Sequence, residues 1–221
     1  MIYKNFDALI ENCSISKRIE RKINLHFGQL YLLNSAVYDL GFNECFEKRN
    51  ISSYYFDDEI LSTARDNIDG VQRRLKFRMR YYGDDYSSYT KEIKIKNGFL
   101  GYKKSEKSVE KFSDIKKCLD EAGRYFNLFS DSYLMPVSFV QYTRRYFVHP
   151  SGIRCTYDSN IKTWRTSTSG LYQSNRSNFE VIEFKYLPEM DQFFRSQVWP
   201  SLSRYSVRGT KSSKYVRSIL A

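Results

Sequence analysis

The chain has 221 residues, with 36 Lys and Arg against 25 Asp and Glu, which gives a net charge of +11 at neutral pH. Hydrophobic residues make up 41% of the chain and aromatic residues 17%, so it can bury a core and intrinsic disorder is excluded. The length favours one domain over residues 1–221, and no apolar run approaches the roughly 18 to 20 residues that cross a bilayer. The sequence therefore predicts a soluble, strongly basic protein with no transmembrane segment of its own.

The N-terminus and the cysteines predict a reducing, cytoplasmic location. Residues 1–7 lack the continuous apolar stretch of a signal peptide. The four cysteines are far apart in the sequence, form no CxxC pair, and have only His26 and His149 as nitrogen partners for a metal. A zinc site is therefore not expected, and we interpret them as free thiols. They are Cys13, Cys45, Cys118 and Cys155.

Most predicted elements are strands, rich in aromatic and β-branched residues and bounded by Gly, Asn, Asp, Ser or Pro. They cover residues 15–25, 51–56, 74–82, 89–98, 99–107, 133–148, 152–158 and 179–186. Helical periodicity predicts helices over residues 28–40, 57–67, 111–126, 189–202 and 212–220. The Ser, Thr and Asn content of residues 165–177 predicts a mobile loop. The pattern indicates an α+β protein built on one large sheet.

One strand carries the strongest pattern. From Arg74 to Tyr82 basic and apolar residues alternate strictly, which is the period of a strand with one charged face. A turn at residues 83–85 leads into a second alternating strand, in which Glu92, Lys94 and Lys96 share one face. The two strands are expected to pair as a hairpin.

A short motif, Glu-x-Lys, occurs on three predicted strands far apart in the sequence. It places a carboxylate and an ammonium group on the same face of each strand. If the three faces converge, carboxylates could hold a hard divalent cation and the lysines could contact phosphate. The alternative is an ordinary solvent-facing sheet surface with cross-strand ion pairs. The motifs are Glu20-x-Lys22, Glu92-x-Lys94 and Glu183-x-Lys185.

The basic excess predicts an anionic partner, which composition alone leaves open between nucleic acid, an acidic membrane surface and a small polyanion. The basic strand narrows the choice, because four like charges on one face repel unless a polyanion lies between them. A closed sheet with this face inward forms a positively lined tunnel suited to polyphosphate or a nucleoside triphosphate. No predicted helix concentrates Lys and Arg as a duplex-reading helix does, so specific nucleic-acid binding is not expected.

Motifs along nearly the whole chain resemble the VTC (vacuolar transporter chaperone) domain, the polyphosphate polymerase branch of the triphosphate tunnel metalloenzymes. The motifs lie at residues 53–57, 76–83, 92–94, 141–146, 152–158, 181–186 and 211–216. The resemblance implies an α+β fold in which a closed antiparallel β-barrel forms a basic tunnel, with flanking helices and a C-terminal helix. It also implies transfer of the terminal phosphoryl group of ATP to a growing inorganic polyphosphate chain with Mn²⁺ or Mg²⁺. Since eukaryotic members sit in membrane complexes, it raises the expectation of a membrane-protein partner.

The resemblance assigns roles to individual residues. Arg78 and Arg80 hold nucleotide phosphates, and Glu183 is the metal ligand. The remaining residues expected in catalysis are Lys94, Arg144 and Arg154. Besides the basic strand, a second basic cluster occurs at Lys103, Lys104 and Lys107. The residues expected to bind phosphate, from the resemblance and from these basic clusters, are Lys22, Lys76, Lys104, Tyr142, Lys185, Lys211 and Lys214.

Two departures from the family pattern bear on the activity. Asn67 stands where a basic residue is common, which leaves open whether Arg65 reaches the same phosphate. Arg18 stands where the hydrolase relatives carry the first of two glutamates, leaving Glu20 alone before Lys22. Fewer carboxylates favour holding a long polyanion over activating water, so polymerase is preferred to triphosphate hydrolase. A non-catalytic module that binds polyphosphate or inositol polyphosphates is the other alternative.

Overall fold

The computed structural model describes residues 6–11, 14–16, 18–26, 29–98, 100–108, 114–167, 170–174, 179–204, 209–210 and 212–220. The strands are β1 Ser14–Ser16, β2 Ile19–His26, β3 Asn43–Asp57, β4 Arg73–Tyr82, β5 Asp85–Asn97, β6 Leu100–Lys107, β7 Met135–Val148, β8 Arg154–Ser167, β9 Gly170–Ser174 and β10 Phe179–Tyr186. The helices are α1 Phe6–Glu11, α2 Gln29–Asp39, α3 Ser62–Asp69, α4 Ile115–Asn127, α5 Asp191–Phe193, α6 Trp199–Ser203 and α7 Lys214–Leu220. A 3-10 turn, Pro188–Met190, precedes α5, and a π-helical turn, Phe194–Val198, joins α5 to α6.

All ten strands belong to one sheet whose described ladders are antiparallel. The order is β1-β6-β5-β4-β3-β7-β8-β10-β2, with β9 paired to β8. The expectation of a closed barrel is wrong in its hydrogen bonding, because no described ladder joins the two end strands, β1 and β2. The sheet nevertheless begins and ends with strands that follow each other in the chain, separated only by residues 17 and 18.

The edge of β2 that does not pair with β10 is occupied by the C-terminal segment, so the ladder stays open there. Ile23 forms a β-bridge with Gly209, and the Thr210 amide donates to the Lys22 carbonyl at 2.8 Å. The C-terminal segment thus takes the backbone groups that a closing strand would need. Across the gap, contact between β5 and β2 is made by side chains, with Lys94 Nζ 2.9 Å from Glu20.

The β4–β5 hairpin separates its two faces as predicted. Phe77 and Met79 are buried, and Phe77 packs against Phe126 of α4 with ring centroids 5.6 Å apart. Asp114 caps this helix by accepting from the Lys116 amide at 2.9 Å. Helix α4 therefore covers the apolar face of the hairpin, and the alternate, basic residues face the other side of the sheet.

A second apolar cluster covers β2, β8 and β10 on the outside of the sheet. Phe184 of β10 is buried between Phe42 and Phe194, with ring centroids 5.8 Å and 5.3 Å away. The helical segment from residue 188 to 203 and helix α2 contribute to this cluster. The two clusters cover the outer face of the sheet over different groups of strands.

Residues 165–167 and 170–174 form strands and not the mobile loop that composition predicts for residues 165–177, of which residues 168–169 and 175–177 lie outside the described part of the chain. Strand β8 continues to Ser167 and pairs with β9, from Thr163 opposite Ser174 to Ser167 opposite Gly170. Polar side chains do not prevent this hairpin, because ladder bonds join backbone groups of any residue type. No described helix is long and apolar enough to cross a membrane.

Candidate functional site

The inner face of the curved sheet lines a cavity of about 1040 Å³, here called the tunnel. Among the described residues its wall carries thirteen Lys and Arg side chains against three glutamates. The cations are Arg18, Lys22, Arg49, Lys76, Arg78, Arg80, Lys94, Lys96, Lys103, Arg144, Arg154, Lys185 and Lys214. Like charges gathered on a concave wall attract anions strongly. The geometry therefore matches the positively lined tunnel predicted from the basic strand.

Strand β4 contributes a row of three cations, Lys76, Arg78 and Arg80. Arg78 Nε donates to the Glu92 carboxylate, and Arg80 Nη2 donates to the Tyr142 hydroxyl at 3.1 Å. Burial acts to raise the pKa of Glu92, but Arg78 and then Arg80 outweigh burial and hold the pKa well below its usual range. The ionised Glu92 therefore orients both guanidinium groups. One carboxylate faces two arginines, so the pair keeps a net positive charge.

The three Glu-x-Lys motifs converge in the tunnel. Lys94 Nζ lies 2.9 Å from Glu20, and Lys22 Nζ lies 3.4 Å from Glu183. Lys185 Nζ connects both carboxylates, at 3.7 Å from Glu20 and 3.2 Å from Glu183. Burial acts to raise the pKa of Glu20, but the lysines, led by Lys94, lower it to about 2. The hypothesis of convergence is confirmed, and the motifs do not form an ordinary solvent-facing surface.

Another part of the wall, on β7 and β8, is organised by Asp158, which is only 1% exposed. Its carboxylate accepts from Arg144 Nε and Nη2 at 2.5 and 2.7 Å, and from Lys214 Nζ. Burial acts to raise the pKa of Asp158, but Lys214 and Arg144 lower it to about 2. The Tyr142 ring lies 4.7 Å from Lys214 Nζ and 5.3 Å from Arg144 Cζ. Two cations thus share one carboxylate beside an aromatic face.

The segment before α7 bridges two walls of the tunnel. Lys22 Nζ of β2 donates to the Ser212 carbonyl at 3.2 Å, and Lys76 Nζ of β4 donates to the Ser213 hydroxyl at 2.9 Å. Lys211, predicted to close the tunnel from this segment, lies outside the described residues. The C-terminal segment thereby gives each of these two lysines a neutral acceptor, in addition to the pair that Lys22 makes with Glu183.

Two lysines are held in an environment that disfavours their charge. Burial lowers the pKa of Lys76 well below its usual range, and Lys22 and Lys94 add to the effect. Partial burial lowers the pKa of Lys94 to about 8, with Glu20 opposing and Lys22 adding to the shift. An anion placed between these ammonium groups would favour their protonated forms. The site is therefore electrostatically incomplete without one.

The prediction that Lys104 binds phosphate does not agree with its position in the structure. Lys104 lies opposite Ile93 in the β5–β6 ladder, on the outer face, with its Nζ 5.6 Å from the Phe129 ring centroid. Its neighbour Lys103 lies opposite Lys94, faces the tunnel and pairs with Glu92. Side chains alternate along a strand, so a one-residue difference changes the face.

Three tunnel residues were not among the predicted site residues. Arg18 and Lys103 were noted in the sequence without a binding role, and Arg49 carried no signal, yet all three line the tunnel. Arg65 is exposed on α3 and outside the described lining. Asn97 lies opposite Leu100, and the same antiparallel register continued along the two strands places Lys103 opposite Lys94. The other predicted residues within the described chain, including Arg154 and Lys185, line the tunnel.

The carboxylates limit how a metal could be held. No group of three or more His, Cys, Asp or Glu suited to a metal occurs in the described part of the chain. Glu20 and Glu183 converge on Lys185, however, and both pKa values are lowered by neighbouring lysines after burial acts to raise them. Mg²⁺ is commonly bound through one or two carboxylates together with substrate phosphates. This donor set fits a divalent cation only as a partner of bound phosphate.

Solved structures share this fold. A putative adenylyl cyclase from Hippeastrum, described as having a dominant triphosphatase activity, matches with a TM-score of 0.53 and 12% identity over 92% of this chain and 95% of that one. A conserved hypothetical protein from Pyrococcus furiosus matches with a TM-score of 0.53 and 10% identity over 90% and 98% of the two chains. A putative adenylate cyclase from Vibrio parahaemolyticus matches with a TM-score of 0.52 and 11% identity over 92% of this chain and 98% of that one. At these identities the likeness concerns the fold.

The sequence comparisons give one clear assignment. No curated protein sequence matches the chain significantly. A family model described as the VTC domain matches residues 17–221, which includes every strand that lines the tunnel. The match agrees with the resemblance seen in the separate motifs. The chain belongs to the VTC domain family.

Proposed function

We propose that this protein is a metal-dependent polyphosphate polymerase, which transfers the terminal phosphoryl group of ATP to inorganic polyphosphate within a single domain over residues 1–221. The observation that carries the proposal is the tunnel wall of thirteen cations in a member of the VTC domain family. A linear chain of phosphates is the anion whose repeated charges match such a wall over its length. The same wall would bind the triphosphate of ATP.

The reaction needs positioning more than covalent help from the protein. A terminal oxygen of the polyphosphate chain attacks the γ-phosphorus of ATP, the bond between that phosphorus and the β,γ-bridging oxygen breaks, and ADP leaves with the electron pair. Arg78 and Arg80 would hold the nucleotide phosphates, because a guanidinium group makes bidentate contacts with phosphate oxygens. Glu92 and Tyr142 orient these groups before substrate arrives.

The acceptor chain would lie against the part of the wall formed by β7, β8 and the start of α7. Arg144 and Lys214 face it in a geometry preset by Asp158. Lys22, Lys94 and Lys185 would neutralise phosphate oxygens from the side of the converged Glu-x-Lys motifs. Arg154 lines the tunnel on the strand paired with Lys185.

Mn²⁺ or Mg²⁺ would be held by Glu183 with Glu20. Held there, a divalent cation would supply positive charge to the transferring phosphoryl group. The lysines paired with the two carboxylates would then be released towards phosphate oxygens. The change from carboxylate to phosphate partners keeps the local charge balanced.

The test is incubation of the purified chain with ATP and Mn²⁺, followed by gel electrophoresis for long-chain polyphosphate. Wild type is expected to form it and Arg80→Ala to lose this activity. Arg195→Ala is the matched control, since Arg195 is 68% exposed and pairs with Asp191 outside the tunnel. Absence of polyphosphate with wild type under these conditions would refute the polymerase.

A triphosphate hydrolase is the second candidate, supported by the triphosphatase activity described for the Hippeastrum protein of similar fold. It would release orthophosphate from tripolyphosphate without making longer chains. Arg18 in the tunnel wall argues for the polymerase, because it adds a cation where the hydrolase pattern carries a carboxylate. Binding of tripolyphosphate with neither reaction would identify a non-catalytic binding module.

A further inference from the structure

Aromatic side chains gather at one part of the tunnel wall, and the phosphate chemistry proposed above does not use them. Phe46 and Tyr82 both line the tunnel and are 61% and 43% exposed. Tyr146 also lines the tunnel, with its ring edge-on to Phe46 at 5.9 Å between centroids. We call Phe46, Tyr82 and Tyr146 the aromatic rim.

Two members of the rim are in direct contact, and the third lines the same tunnel. Strand pairing places Phe46 of β3 directly opposite Tyr146 of β7. The pKa of Tyr146 is raised by burial first, and Tyr82 is among the neighbours that add to the shift. Arg49, another exposed residue of the lining, also acts on this tyrosine. The cluster therefore combines ring faces with a nearby guanidinium group.

The rim continues the row of arginines on β4. Tyr82 follows Arg80 by two residues on the same strand face, which places it about 7 Å further along the strand. Arg78 lies another two residues behind, so a ligand with phosphates on the arginines would extend towards Tyr82. Exposed rings contribute little to holding phosphate, whereas they stack well on flat heteroaromatic groups.

We propose that the aromatic rim is a stacking site for the base of a nucleoside triphosphate whose phosphates lie on Arg78 and Arg80. This inference rests on the proposed binding of nucleotide phosphates in the tunnel and goes beyond it, because it assigns residues to the base. The rim selects nucleotides over inorganic triphosphate. It does not identify the base, since every base presents a π face to an aromatic ring.

The rim explains how a tunnel with such excess positive charge can distinguish its donor from its product. Inorganic polyphosphate and ATP offer similar phosphate groups to the arginines. Only the nucleotide gains the additional stacking energy at Phe46 and Tyr82. ATP is thereby retained with its triphosphate pointing into the tunnel, and a bare phosphate chain gains nothing from occupying the same end.

The test compares dissociation constants for ATP, GTP and inorganic tripolyphosphate by titration calorimetry. Wild type is expected to bind ATP and GTP within about threefold of each other, since stacking is tolerant of base identity. Phe46→Ala combined with Tyr82→Ala is expected to weaken both nucleotides by roughly five- to a hundredfold. Tripolyphosphate binding should change by less than about twofold, which also reports that the variant is folded. Tyr133→Ala is the control, because Tyr133 is 74% exposed and outside the tunnel lining.

Each other result counts against a specific statement. Unchanged ATP binding in the double variant, or equal weakening of ATP and tripolyphosphate, overturns the stacking site. Wild type that binds tripolyphosphate but not ATP overturns it too, while phosphate binding in the tunnel stands. Wild type that binds ATP through the rim yet forms no polyphosphate refutes the polymerase and leaves the stacking site in place.

Discussion

The sharpest prediction concerns Asp158, the carboxylate shared by Arg144 and Lys214. Asp158→Asn keeps the shape of the side chain and removes its charge. The pKa of Asp158 is lowered from 3.8 to about 2, which corresponds to about 2 kcal/mol of stabilisation of the ionised form. That contribution is present above the unfolded pKa and is lost as pH falls towards 2, so pH 7 measures all of it.

The full cost exceeds this figure because both cations lose their partner. Arg144 and Lys214 each keep only 13% of their side chains exposed. Removing one partner of a buried ion pair typically costs about 3 to 5 kcal/mol. For a chain of this size each kcal/mol lowers the melting temperature by about 2 to 4 °C, so we expect a loss of roughly 10 °C.

The same reasoning predicts rescue by an anion. Tripolyphosphate supplies the negative charge that the variant lacks, so it should raise the melting temperature of Asp158→Asn more than that of wild type. The assay is thermal unfolding at pH 7 with and without tripolyphosphate. Glu44→Gln is the control, since Glu44 is 39% exposed in its pair with Arg145 and such pairs contribute at most about 1 kcal/mol. A variant that melts within 2 °C of wild type, or gains no more from the ligand, would refute the account.

Three further predictions address the cations and the metal. Arg78→Lys keeps the charge but loses the bidentate contact, so titration should show tripolyphosphate binding weakened by roughly ten- to a hundredfold; an unchanged affinity would mean that charge alone suffices. Glu183→Gln should abolish metal-dependent turnover while leaving polyphosphate binding intact or tighter, because Lys22 and Lys185 lose an anionic partner. Full turnover with unchanged Mn²⁺ dependence would place the metal elsewhere, with Glu20 or Glu92 next to test. Partial burial lowers the pKa of Lys94 to about 8, so its charge is lost as pH rises through that value and affinity for tripolyphosphate should fall. Lys94→Arg should flatten part of this pH profile, and a profile identical to wild type would exclude Lys94 as its source.

The sequence by itself determined which residues face the tunnel on most strands. The alternation from Arg74 to Tyr82 separates basic from apolar side chains, and the structure has Phe77 and Met79 in the core with the arginines opposite. This inference succeeds because the two-residue period of a strand is local. The Glu-x-Lys motifs were found for the same reason, and their convergence follows once three such faces line one curved sheet.

Register and long-range partners were decided by the tertiary structure. The turn between β5 and β6 puts Lys103 in the tunnel and Lys104 outside, a one-residue difference that composition does not specify. The pairing of Asp158 with Lys214 joins residues 56 positions apart, and the bond from Lys22 to Ser212 joins residues 190 apart. The ladder stays open because the C-terminal segment occupies the edge of β2. Such contacts depend on which chain segments meet in space, and this cannot be inferred from the local periodicity of the side chains.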